Sequence, residues 1–177
     1  MADINIRLSL LYFSLCKDII NHKDILLISF FSNNVCSFIM NIYSNYSHSA
    51  LKYLKDTEVN INNLLIMTCD FNIRNQSWDS FFLHYLSISD DLFIIADLFN
   101  LDLLIATNPT PTRYSDTVGE LNLVIDLIFL HSGSSELNCY SIHPNWHLTL
   151  DHTSLTITIP IKEKFIQLSK FSLLNKS

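Results

Sequence analysis

Apolar residues in this chain fall in short runs broken by polar turns rather than in long helical stripes. Residues 25–31 (ILLISFF) and 35–43 (VCSFIMNIY) are β-rich runs on either side of Ser32-Asn33-Asn34, which predicts a hairpin. In 49–58 (SALKYLKDTE), Leu51 and Leu54 lie at helical spacing and Ser49 is placed to cap the N-terminus. Residues 64–68 (LLIMT) are continuously apolar, as in a strand covered on both faces. Residues 90–100 (DDLFIIADLFN) open on acidic side chains and end in Asn, the signature of a helix with a tolerated C-cap.

Two prolines force an extended path on 107–114 (TNPTPTRY), and 124–130 (VIDLIFL) reads as a further buried strand. Residues 137–142 are a weaker strand, and 154–159 (SLTITI) alternate as a strand with one covered face. The N-terminal run 8–16 (LSLLYFSLC) imitates the core of a signal peptide, yet Asp3 lies in its leader and no small-residue cleavage site follows. It is read as a buried strand or helix. No repeat, low-complexity tract or Pro/Gly linker divides residues 1–177, so one domain is expected, with 161–177 a tail. Partial alternation of strands and helices, several strands being fully buried, indicates an α/β layered domain.

Composition narrows the function. Of 177 residues 49% are hydrophobic, ample for a core and unlike a disordered chain. Lys and Arg number 11 against 17 Asp and Glu, a net charge of -6 that excludes a basic clamp on a phosphate backbone. A bound cation would reverse that sign locally. Only two glycines occur, Gly119 and Gly133, neither in a phosphate-loop context, which excludes Rossmann and P-loop nucleotide binding. Cys16, Cys36, Cys69 and Cys139 form no C-x-x-C pair, and reduced thiols in an intracellular setting, cytoplasmic or nuclear, are expected. No apolar run approaches the ~20 residues of a membrane span.

Candidate chemistry gathers at strand ends. Asp70 and Asn72, in Cys-Asp-Phe-Asn, follow the strand 64–68; two apart in an extended backbone, they would address one ligand. A turn in which both satisfy local backbone groups is the competing reading. Asp126 lies within an apolar strand, where a carboxylate demands a partner unless it stands at the end in water. Asp151-His152 immediately precedes the strand SLTITI and offers a carboxylate beside an imidazole.

The ordered set CDFN at 69–72, LVID at 123–126 and LDH at 150–152 resembles the endonuclease/exonuclease/phosphatase superfamily, most closely the endonuclease domain of LINE-type retroelements. NIYS at 41–44 looks like that family's Tyr-bearing strand, PTPTRY like its Pro-Thr segment, and the likeness spans about 22–160. The resemblance implies a layered sandwich of two packed β-sheets with outer helices, missing part of the N-terminal sheet. It also implies Mg²⁺- or Mn²⁺-dependent phosphodiester hydrolysis on DNA. Asp70 would orient or deprotonate water and contact the metal, Asn72 would bind the scissile phosphate, and Asp151 would hold the cation. His152 would stabilise phosphoryl charge, oriented by Asp126, with Tyr43 and Arg113 contacting substrate.

Departures from the pattern point the other way. No Glu precedes Glu58, so the family's main metal-binding glutamate is absent; Cys69 replaces a Gly, and Leu123 and Leu150 replace serines. An N-terminally truncated copy of weak or no activity is expected, self-associating through an exposed sheet edge. A non-catalytic retroelement remnant or interaction module is the second hypothesis. A zinc site from His143, His147 and His152 is disfavoured by Pro144, and a serine hydrolase by the lack of a G-x-S-x-G elbow. Trp78, Trp146, Tyr85 and Tyr114 can stack on bases, but their scatter reads as core.

Overall fold

The computed structural model describes residues 13–32, 35–79, 87–104, 111–115, 122–133, 140–147 and 153–157. Six strands form one mixed sheet: β1 (Phe13–Leu15), β2 (Ile25–Ser32), β3 (Val35–Tyr43), β4 (Leu64–Asp70), β5 (Leu101–Leu103) and β6 (Asp126–His131), in the order β1-β2-β3-β4-β6-β5. A separate antiparallel pair joins β7 (Tyr140–His147) to β8 (Thr153–Ile157). Helix α1 (Ser49–Asp56) links β3 to β4, and α2 (Ser87–Leu98) precedes β5.

The predicted hairpin forms with Ser32 opposite Val35 and Ile25 opposite Ile42. β3 and β4 run parallel, joined through α1 as a β-α-β unit, whereas β6 runs antiparallel to β4. Alternation sorts the side chains. Leu27, Met40, Met67 and Phe129 share one face and pack with Leu51 and Leu54 of α1 and with Leu92 and Ile95 of α2. The opposite face is also apolar at its centre, where Ile39, Ile66 and Leu130 stand in one row, all buried. Cover on both faces at the centre of the sheet explains why its strands read as continuous apolar runs, although Leu26, Phe31 and Val35 of the β2–β3 hairpin are exposed.

With so few glycines, the left-handed positions among the described residues fall largely to asparagine. Asn63, Asn72 and Asn100 have φ of 62°, 50° and 55°, and His48 has 51°. Asn tolerates this region best among residues with a side chain, because its amide can bond locally. Asn100 ends α2 in this way, as its sequence position predicts.

Three local expectations need correction. Ser49 is the first helical residue of α1 and His48 the N-cap, without a side-chain cap bond; the Ser49 hydroxyl donates instead to Asp24 Oδ2 at 3.1 Å. Helix α2 starts at Ser87, three residues earlier than expected, with Asp90 in its first turn and buried Ser89 accepting from Asn75 Nδ2 at 2.8 Å. Of the apolar N-terminal run, the described residues begin with the short strand β1 and are not uniformly buried: Cys16 is buried but Leu15 is 51% exposed. Trp78 is core as expected, packed on Phe93 and donating to the Ile73 carbonyl at 3.3 Å. Among the described residues no helix is long and apolar enough to cross a membrane.

Candidate functional site

Three strand ends meet in one row. Tyr43 ends β3, Asp70 ends β4 and Asp126 begins β6; the register sets Tyr43 opposite Asp70 and Asp70 opposite Asp126. Paired residues project from the same face, so all three address the face opposite the helices. Neighbouring strands lie about 4.8 Å apart, so the backbones of Tyr43 and Asp126 stand about 10 Å from one another. Asp70 and Asp126 are buried, whereas Tyr43 is 49% exposed at the rim. Two residues further into the sheet, Thr68 Oγ1 donates to Asn41 Oδ1 at 3.2 Å, giving the row a polar floor.

Asp126 is therefore neither in mid-strand nor a carboxylate standing in water: it is the buried first residue of β6. Thr112 holds it there. The Ile125 and Asp126 N–H groups both donate to Thr112 Oγ1, at 3.0 and 2.9 Å, and Thr112 is itself buried. Arg113 follows on the same segment and pairs its backbone with Leu123 in an isolated bridge.

Asn72 reaches the site differently from the extended path expected. The strand stops at Asp70, and the Asn72 N–H folds back onto Asp70 Oδ1 at 3.2 Å in an Asx-type turn with left-handed φ. The turn reading of the Asp-x-Asn pair is thus the one that the structure shows: the backbone is satisfied locally, and the Asn72 side chain lies beside the end of β3. Asn72 Nδ2 donates to the Ser44 carbonyl at 2.9 Å, while the Ser44 N–H donates to the Asp70 carbonyl at 3.0 Å. Phe71, between them, is buried on the helix side, and its N–H donates to the Ile125 carbonyl at 3.0 Å.

Sequence reasoning missed Ser44, His48 and Thr112. Each acts through hydrogen bonds to residues distant in sequence or one turn away, and no spacing signal marks such bonds. Ser44 Oγ lies 2.7 Å from His48 Nδ1. Burial, then the nearby Lys52 charge, hold the His48 imidazole below its ordinary 6.5. The folded state therefore resists protonation more than the unfolded chain does, so this histidine's contribution is complete above pH 6.5 and lost as pH falls through the folded value. Urea midpoints should accordingly decline below neutrality by a smaller margin in His48→Asn than in the parent. Equal declines would refute this.

Asp151 and His152 lie outside the described residues, as does any pairing of Asp126 with His152. β8 starts at the next residue, Thr153. His143 and His147 lie on β7, with the register shift around Pro144 between them, and their side chains are outside what is described. Among the described residues no group of three or more His, Cys, Asp or Glu side chains converges as a metal cage. Asp70, paired in register with Asp126, nonetheless supplies the kind of donor that Mg²⁺ takes, a cation that binds oxygen and is commonly held by one or two carboxylates, waters and substrate phosphates.

No protein-family model matches the sequence, and no curated protein matches it. Among solved structures the chain is similar to the endonuclease domain of TRAS1, a telomere-specific non-LTR retrotransposon. The TM-score is 0.69, covering 86% of this chain and 70% of that one at 16% identity. At this identity the likeness establishes the fold: this is an α/β domain with the architecture of an endonuclease domain.

Proposed function

We propose that this chain is a divalent-metal-dependent phosphodiester hydrolase of endonuclease type acting on DNA, with slow turnover. The observation that carries the reading is the row Tyr43–Asp70–Asp126, with Asn72 turned onto the end of the same strand. A cation bound there would neutralise charge on the transferring phosphoryl group. Asp70, with Asp151, holds Mg²⁺ or Mn²⁺, and Asp70 also orients the attacking water. An amide NH₂ carries two hydrogens, so Asn72 keeps one for a phosphate oxygen while the other serves Ser44. His152 stabilises phosphoryl charge, with Asp126 as its orienting partner. Tyr43, exposed at the rim, and Arg113 meet the nucleic acid.

Slow turnover follows from the donor set: within this chain no glutamate precedes Glu58, so fewer carboxylates grip the cation. The same observation favours a second reading, a non-catalytic module that binds nucleic acid or a partner. A supercoiled-plasmid assay separates them. We expect nicking with Mn²⁺ or Mg²⁺ that stops on chelation and is lost in Asp70→Asn. No metal-dependent nicking at high protein concentration, or nicking indifferent to Asp70→Asn, would overturn the enzyme reading.

A further inference from the structure

Asn72 is anchored to a backbone carbonyl, and that carbonyl belongs to a segment fastened with unusual thoroughness. Ser44 is fully buried. Its N–H is given to Asp70, its carbonyl receives Asn72, and its hydroxyl pairs with the His48 ring. The turn that follows is pinned as well. Asn45 Oδ1 accepts from the Ser47 N–H at 3.0 Å and from the Ser47 hydroxyl at 2.7 Å, and Asn45 Nδ2 donates to Asp24 Oδ2 at 3.2 Å. The His48 N–H closes the turn on the Asn45 carbonyl at 2.9 Å, and the His48 carbonyl accepts from Lys52 N–H at 3.1 Å, opening α1.

His48 is also the odd residue among the left-handed positions. Among the described residues the other three are asparagines, and the His48 ring makes no helix-cap bond. What the ring does make is the short bond to Ser44 Oγ. Burial and Lys52 favour its neutral form, which in the Nε2–H tautomer accepts a hydrogen bond from the Ser44 hydroxyl at Nδ1.

We infer that Ser44 and His48 are positioning residues for Asn72: the ring fixes the Ser44 hydroxyl, this fixes the Ser44 peptide plane, and the Ser44 carbonyl orients the Asn72 amide toward substrate. The inference deepens the proposed function, since it rests on Asn72 binding a phosphate oxygen. It extends that site to the start of α1, which touches no reacting atom.

The test uses the full chain and three variants. His48→Gly keeps the left-handed backbone and removes the acceptor. His48→Asn keeps both, because Asn Oδ1 occupies the place of Nδ1, and Ser44→Ala removes the hydroxyl. The first readout is the Asn72 side-chain amide pair in ¹⁵N-correlated NMR spectra. Its shifts should move and its hydrogen exchange should quicken in His48→Gly and Ser44→Ala, and both should return in His48→Asn. The second readout is plasmid nicking: kcat should fall about 10-fold in His48→Gly with KM little changed, since misorientation costs the reaction more than binding, and should recover in His48→Asn. Amide signals unmoved in His48→Gly and Ser44→Ala would overturn the inference, as would a kcat loss that His48→Asn fails to rescue. A parent chain that never nicks defeats the enzymatic reading instead, and the amide spectra still decide whether the relay exists.

Discussion

Phe71→Ala is expected to cost ~3–5 kcal/mol of stability, a large share of the roughly 5–15 kcal/mol that a domain has. Phe71 has no exposed surface and meets Phe129 edge to face, with ring centroids 5.8 Å apart at 86°. Truncation forfeits the apolar transfer and leaves a cavity that the sheet and helices on either side cannot readily close. The consequence is more than mechanical. Phe71 lies in sequence between Asp70 and Asn72, so its ring, sunk into the helix-side core, is the peg from which the Asx turn hangs. Urea unfolding followed by tryptophan fluorescence should show the midpoint falling sharply in Phe71→Ala and much less in Phe71→Leu, which refills part of the volume. A loss below about 1 kcal/mol in Phe71→Ala would mean that the ring is not packed as described.

What the sequence revealed, and what it hid, divides along a physical line. β2, β3, β4 and β6 were legible because a sheet whose centre is buried on both faces needs unbroken apolar runs there. The beginnings of both helices were misread for the opposite reason. Ser49 has the composition of a cap but spends its hydroxyl on Asp24, and Ser89 sits inside α2 because Asn75 meets it there. Such bonds join residues 14 and 25 apart in sequence and leave no periodic trace. Asp70, Asn72 and Asp126 could be singled out from motif order, and Tyr43 from its strand. The gathering of Tyr43, Asp70 and Asp126 into one row is a property of register: β3 parallel to β4 and β6 antiparallel bring two strand exits and one strand entry to the same end. The turn of Asn72 was unreadable, since an Asn two residues after an Asp fits an extended path and a left-handed one equally well.

Thr112 lies in the Pro-Thr segment that motif reading noted without giving this residue a role, and the geometry makes it costly to change. One hydroxyl oxygen accepts two consecutive backbone N–H groups, and both lie at the threshold where the chain enters β6. Valine has nearly the same shape, so Thr112→Val leaves packing intact and removes only the acceptor. Each buried N–H left unsatisfied costs about 1–3 kcal/mol, and the pair together about 2–5 kcal/mol after some local adjustment. Serine retains the oxygen and gives up one methyl group, for which about 1 kcal/mol is the expected loss. The ordering parent, Thr112→Ser, Thr112→Val in urea midpoint is therefore a direct reading of the hydrogen bonds rather than of volume. Because Asp126 is one of the two residues so held, the valine variant should also lose metal-dependent nicking beyond what its stability explains, when assayed well below its unfolding midpoint. If Thr112→Val proves as stable as Thr112→Ser, the two N–H groups have found water or another acceptor, and Thr112 does not set where Asp126 stands.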